Sequence, residues 1–286
     1  MENIKIKVLF YIMSMSKGPL ITIGGNIDHS RDRSVLAEFL DLVENRFNAR
    51  PVIGILPTAS QESKKIAEKY SDIFKKFDVD TITLNPDDRA EANSEAIVEK
   101  VFEAEAFFFT GGNQLRITTL LGGTDLLKAI REKHEDGAVI GGTSAGSVCL
   151  TDLMISYGES ENALMSGVVE LTRGLHFIPG AVLDTHFTAR GRFPRLVHVV
   201  VENPVSLGIG LGEDTGAIWD LEENEFTVIG SRNIVVVDGK NITHTNVSEI
   251  EEDTPLHAEG ITVDILSHGC GFDLEERKSW FPENNE

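Results

Sequence analysis

"GGTSAGSVCL", Gly141 to Leu150, is the stretch on which the reading of this chain turns. Just upstream, Ala138-Val139-Ile140 is a short apolar run that reads as a strand, and Ser147 to Leu150 reads as the start of a helix. Between them Gly142-Thr143-Ser144-Ala145-Gly146 matches Gly-x-Ser-x-Gly. A sharp strand-to-helix turn of this pattern lifts the serine hydroxyl clear of the backbone. The flanking glycines carry no Cβ, so chain and substrate can approach closely. The same residues also suit a tight turn in which Ser144 merely caps the helix, so the rest of the chain has to decide.

Working outward, strands and helices alternate. Apolar runs at Leu20–Ile23, Val52–Leu56, Thr81–Leu84 and Phe107–Thr110 are separated by segments with helical spacing, such as Val35, Leu36, Phe39, Leu40 and Val43, or Ile66, Tyr70, Ile73, Phe74 and Phe77. Thr58-Ala59-Ser60-Gln61 reads as a capping box for the second of these helices. Strands apolar throughout, with amphipathic helices between them, imply an α/β fold whose mostly parallel sheet is covered on both faces. Ligands of such sheets bind beyond the carboxyl ends of the strands. Gly24-Gly25, Gly111-Gly112 and Gly141-Gly142 all fall at that edge. From about Ser206 the texture changes. "GAIWDLEENEFTVIG" and "NIVVVDGKNITHT" read as hairpins, the second turning at Asp238-Gly239, which gives a C-terminal antiparallel β extension. The expected organisation is an N-terminal extension over residues 1–18, one domain over 19–275 and a polar tail over 276–286.

Composition narrows the function. Hydrophobic residues are 41% and charged residues 25%, ordinary for a globular protein, and the net charge is −20. Phosphate backbones need clustered Lys and Arg, so a nucleic-acid partner is disfavoured, as is an acidic membrane surface. Two distant cysteines suit a reducing compartment, and the eight histidines show no metal-ligand spacing, so no metal or other cofactor is expected. The start, "MENIKIKVLFYIMSMSKG", carries an apolar stretch over Val8–Ser16 that faintly resembles a signal peptide. It lacks a small-x-small cleavage site and is too short to span a bilayer. A cytoplasmic protein is the expectation and a secreted one the minority reading.

A serine nucleophile needs a base, and the base a group to orient it. His186 follows the short strand Ala181–Leu183, at the edge where Ser144 lies. Arg190, Arg192 and Arg195 follow within a few residues, in a chain with 46 acidic and only 26 basic side chains. Guanidinium pairs with carboxylate in bidentate fashion, so this cluster suits a ligand bearing a carboxylate, though the protein's own acids could also occupy it. If the order along the chain is Ser, acid, His, the third member is among Asp152, Glu159, Glu161, Glu170 and Asp184, and spacing does not choose between them. Ala145 N–H and the Gly111-Gly112-Asn113 turn are candidate oxyanion donors, with Gln114 and Arg116 beside the pocket.

"FFFTGGNQLRI", "GGTSAGS", "DTHFTARGRFPRL" and "GIGLGEDTGAI" together resemble the cyanophycinase family of serine peptidases, related to α-aspartyl dipeptidase, over about Leu20 to Asp273. The resemblance implies a flavodoxin-like fold similar to class I glutamine amidotransferases, a homodimer, and no metal. It implies Ser144 as nucleophile, His186 as base and a glutamate of the loop after the nucleophile helix as orienting acid. "GESEN" matches that loop, which selects Glu161, with Glu159 second. Gly112, Asn113 and Ala145 would form the oxyanion hole, and Gln114, Asp184, Thr185, Arg190, Arg192 and Arg195 the substrate pocket. The substrate implied is cyanophycin, an aspartate polymer carrying β-linked arginine. Two positions depart from the family: Thr185 stands where Gln usually precedes the histidine, and Asn113 where Asp is usual. The first puts cyanophycin itself in question and leaves smaller α- or β-aspartyl peptides open. An α/β-hydrolase esterase and a non-catalytic binding protein on the same fold are the other readings. The late histidine usual in the former, and the arginines here, argue against the esterase.

Overall fold

Five strands carry the parallel half of the main sheet: β1 (Leu20–Ile23), β2 (Val52–Leu56), β3 (Asp80–Thr83), β4 (Ala106–Phe109) and β5 (Val139–Thr143). A computed structural model describes residues 17–27, 35–47 and 51–282. Most of the expected N-terminal extension, including Val8–Ser16, lies outside the described residues. The strands are ordered β1-β5-β4-β2-β3. From β3 inward this repeats the flavodoxin-like order, with the N-terminal strand in the fifth place. Their side chains alternate between two apolar layers, as the two-residue period of a strand requires. Phe107 and Phe109 enter one core cluster. Phe108 enters the other, where its ring centroid lies 5.4 Å from that of Phe39 and 5.6 Å from that of Phe74. Those two rings come from α1 (Val35–Phe47) and α2 (Ser63–Lys75), whose buried residues match the helical spacing in the sequence. The opposite face is covered by α3 (Glu95–Val101), α4 (Gln114–Leu121) and α5 (Asp125–Glu135).

After β5 comes the short helix α6 (Ala145–Val148), then a hairpin of β6 (Leu153–Tyr157) and β7 (Glu170–Arg173). A second sheet begins at β8 (Ala181–Asp184). It passes through α7 (Phe193–Glu202) to β9 (Leu207–Leu211), which pairs with β8 in parallel. The chain then returns to the first sheet. β10 (Thr215–Asp220) lies antiparallel to β1, and β11 (Glu225–Gly230) antiparallel to β10. β12 (Ile234–Asp238) goes back to the second sheet beside β9. The fold is therefore α/β with a mostly parallel core and the expected antiparallel extension, but the extension is divided between two sheets.

Two local expectations are corrected. The run after Asp238-Gly239 does not fold back on β12. β12 instead pairs with β15 (Thr262–Leu266), across an excursion that contains the two-residue pair β13 (His244–Thr245) and β14 (Ala258–Glu259). The residues after Asp238 instead close a local turn, with Lys240 N–H donating to Asp238 Oδ1 at 2.8 Å and Ile242 N–H to Gly239 O at 3.0 Å, which leads the chain away from β12. The capping box at Thr58 does not form either. α2 starts later, at Ser63, with Glu62 before it and no side-chain cap, while Ser60 Oγ accepts from Glu62 N–H at 3.0 Å. Near the C-terminus β16 (Gly271–Asp273) pairs with β11, and β17 (Lys278–Trp280) with β16, so the tail expected from residue 276 supplies an edge strand.

Candidate active site

Ser144 is the hinge between β5 and α6, and its backbone stands at φ 52°, ψ −119°. A non-glycine residue adopts such angles only when its surroundings hold it there. Three features do so. Ser144 N–H donates to Ile23 O at 2.9 Å. Ser147, fully buried one turn on, accepts from Ile23 N–H at 2.8 Å, and its hydroxyl lies 2.6 Å from Gly142 O. Finally, Gly146 lies so close to β4 that a Cβ there would stand 2.1 Å from Phe109 O. The motif's closing glycine is thus a packing requirement, and the serine is held half-buried with its hydroxyl outward.

His186 arrives from the other sheet, two residues beyond β8. Its N–H donates to Gly24 O at 2.8 Å, and its φ is 50°. Its Nε2 is 3.1 Å from Ser144 Oγ. Gly25 makes room for the ring: a Cβ at that residue, whose φ is +96°, would lie 2.4 Å from His186 Cε1. His186 Nδ1 is 2.8 Å from Glu213 Oε1. Glu213 sits two residues beyond β9. Since β8 and β9 are parallel neighbours with Asp184 opposite Gly210, their carboxyl ends coincide, and His186 and Glu213 emerge side by side. Asn26 Nδ2 donates to the other carboxylate oxygen, Oε2, at 3.1 Å. The hydrogen bonds from His186 and then Asn26 hold Glu213 below the ordinary carboxylate range, against a smaller opposing effect of burial.

The carboxylate against His186 is therefore Glu213, and the expectation of Glu161 is corrected. Glu161 and Glu159 are exposed on the loop after β6, and Glu159 takes the Tyr157 hydroxyl at 3.4 Å. Asp152 is bound to His176 at 2.9 Å, and Glu170 lies exposed in β7. The missed residue stands inside "GIGLGEDTGAI". Dropping the assumption that the acid precedes the histidine would have admitted it.

Ser144 opens into a cavity of about 230 Å³ lined by Gly112, Gln114, Ala145, Tyr157, Asp184, Thr185 and the three arginines, among others. The backbone N–H groups of Gly112 and Ala145 make no hydrogen bond among the described residues. Asn113 does not join them: its N–H donates to Ala59 O at 2.9 Å, and its side chain caps α4 through Leu115 N–H at 2.8 Å. Gln114 Nε2 donates to Ile155 O at 2.7 Å, so its amide oxygen is the group left for the pocket. Arg116 lies apart from this cavity, with Nη2 3.5 Å from Ser60 O.

Asp184, 1% exposed, organises the arginines. Arg195 grips it with Nε and Nη2, each at 2.5 Å, and Arg192 Nη1 donates to it at 3.0 Å. Arg192 also donates to Thr185 O at 2.6 Å, and burial pulls its guanidinium below the ordinary arginine value while Asp184 opposes this. Asp184 is thus a scaffold at the pocket floor. Arg190 differs: it is exposed, lines the cavity, and its guanidinium has no hydrogen bond or ion pair among the described residues. Cys149 and Cys270 are free and buried. Among the described residues no three His, Cys, Asp or Glu side chains could hold a metal together, and no helix is long and apolar enough to cross a membrane.

The chain is similar to known peptidases. The chain is 33% identical over 260 residues to a cyanophycinase of Synechococcus elongatus, covering 90% of this chain and 80% of that one. It is 27% identical over 209 residues to a peptidase E of a Nostoc species, covering 71% and 79%. The crystal structure of a peptidase from an acI-B1 Actinobacterium superposes with a TM-score of 0.66 at 18% identity, over 93% of this chain and 97% of that one, which supports the fold. The family model described as Peptidase family S51 matches residues 20–229, which takes in the Ser144 turn, His186, the arginine cluster and Glu213, and the chain belongs to that family.

Proposed function

We propose that this peptidase hydrolyses aspartyl bonds through an acyl-enzyme, with Ser144, His186 and Glu213 as its triad. The observation that carries the reading is the unbroken line from Ser144 Oγ through the imidazole to Glu213, opening into a cavity walled by arginines. His186 takes the Ser144 proton as Oγ attacks the aspartyl carbonyl, and Glu213 fixes the ring with Nδ1–H toward itself. The oxyanion forms beside Ala145 and Gly112, whose N–H groups are the donors left over by the fold. His186 then protonates the leaving amine, and water, deprotonated by the same ring, releases the acyl group. Arg190 is the cation that binds the free carboxylate of the aspartyl residue, backed by the Arg192–Asp184–Arg195 cluster.

A cyanophycin-like polymer with β-Asp-Arg units is the substrate suggested by the cyanophycinase relatives, and a cytoplasmic homodimer the accompanying expectation. Thr185 favours a second reading, a small aspartyl peptide. Its side chain is buried and its main chain is engaged by Asp184 and Arg192, so little of it reaches a bound polymer. Incubation with insoluble cyanophycin, β-Asp-Arg and α-aspartyl dipeptides, beside Ser144→Ala, separates these outcomes. Dissolution of the polymer with release of dipeptide supports the first. Cleavage of small aspartyl peptides alone supports the second. Turnover by Ser144→Ala would sink the mechanism.

A further inference from the structure

We infer that His244 and His257 form a binding site for one divalent transition-metal ion of the kind that favours imidazole, such as zinc, nickel or copper, on the excursion between β12 and β15. The inference stands apart from the aspartyl-peptidase reading, since neither histidine lines the cavity at Ser144.

The two side chains are 13 residues apart in the chain and meet across the ribbon of β13 and β14. His244 stands opposite Glu259, and His257 comes two residues before Glu259, so the strand period puts all three side chains on one face. Asn246 holds the ribbon in this register. Its buried side chain accepts from His257 N–H at 2.9 Å and donates to Pro255 O at 3.0 Å. Thr243 N–H donates to Glu259 O at 3.0 Å on the other side of the pair. The histidines themselves are exposed, so an ion reaches them from solvent.

His244 Nε2 and His257 Nε2 are 3.1 Å apart, and neither ring has another hydrogen bond or ion pair among the described residues. The ring centroids are farther apart, 5.1 Å, with the planes 23° from parallel, so the rings lie end to end and both nitrogens turn into one gap. At that separation at most one Nε2 carries a proton, and the other accepts it with a lone pair. Exchanging that proton for a metal ion makes both nitrogens ligands. With metal–nitrogen bonds of about 2.0–2.1 Å, two imidazoles on one ion stand about 2.9 Å apart at a right angle and about 3.3 Å apart at the tetrahedral angle. The observed separation falls between the two, and a small turn of the exposed rings aims both lone pairs at the ion. Solvent completes the coordination, as a site with two protein ligands requires. Imidazole selects zinc, nickel and copper over magnesium and calcium, which take oxygen ligands. Glu259 on the same face and the net charge of −20 favour a cation.

The test is isothermal titration calorimetry of the full, tag-free chain with zinc chloride and nickel chloride, with magnesium chloride as control. Wild type should take up one zinc or one nickel ion per chain and no magnesium. His244→Ala and His257→Ala should each weaken zinc and nickel binding by about tenfold or more, because the loss of even an outer partner of a ligand costs that much. With copper(II), the nitrogen splitting in electron paramagnetic resonance should report two imidazoles in wild type and one in each variant. Zinc should raise the midpoint of thermal unfolding of wild type and leave that of the double variant unmoved. Absence of saturable zinc or nickel binding would overturn the inference and leave the pair a hydrogen bond between imidazoles. Binding of unchanged strength in the double variant would overturn it too, by placing the ion on other side chains. Neither result bears on whether aspartyl peptides are cleaved.

Discussion

Glu213 and Glu161 are both acidic residues of this chain, and only the first touches His186. Glu213→Gln keeps the shape but replaces the acceptor that fixes the imidazole, so kcat on an aspartyl peptide should fall by about 10²- to 10⁴-fold. Glu161→Gln should leave it unchanged. A reversed result would return the acid to the loop after β6. Asn26 acts one step further out. Glu213 is held below its ordinary value, so its contact as a carboxylate with His186 is complete above the ordinary carboxylate range and lost as pH falls through the lowered one. Asn26→Ala removes one of the two hydrogen bonds responsible, so Glu213 should titrate at higher pH in a carbon-13 NMR titration of its carboxyl. An unmoved titration would show that Asn26 does not hold it. Ser144 and His186 were legible because a strand end followed by a characteristic neighbourhood is a local signal. Glu213 was not, because its partnership depends on β8 and β9 being neighbours, which no spacing in the chain encodes.

The strand ends carry the site, and they differ in how openly they announce themselves. β5 and α6 followed from an apolar run broken by glycine. Of the second sheet, β8 and β12 were visible as strands and β9 and β15 were not, and nothing marked a separate sheet, since β10 and β11 belong elsewhere and interrupt it. Asp238-Gly239 looks like a hairpin turn and is followed instead by a long excursion, because strand pairing depends on tertiary context that a local turn signal does not carry. Gly25, just past β1, reads in sequence as loop punctuation, yet it is the space in which the imidazole sits. Gly25→Ala should push the ring off Ser144 and lower kcat/KM by about 10²-fold or more, with the far-ultraviolet circular dichroism unchanged. Full activity in that variant would mean the ring can settle elsewhere without loss.

At the scale of the molecule, Ser144 and His186 follow strands of different sheets. One apolar cluster runs through both, joining Leu20, Phe109 and Ile140 of the first to Leu183, Ile209 and Val236 of the second. Sheets that share a core should not separate before they unfold. Loss of aspartyl-peptide turnover in urea should therefore coincide with loss of near-ultraviolet dichroism from the buried Trp219. An earlier loss of activity would show that the sheets part first.

Ser144 and His186 both stand on backbone of positive φ, at 52° and 50°, so the two side chains that meet at the cavity are borne by a conformation that few non-glycine residues adopt. The protein is in this sense tensioned at its own working point. Glycine in place of Ser144 relieves that tension while abolishing the chemistry, and should raise the midpoint of thermal unfolding by an amount matching about 1 kcal/mol. A lower midpoint would show that the hydroxyl contributes more to folding than the backbone gives up. Heat resistance and turnover then pull in opposite directions at Ser144, and selection for the first alone would discard the second.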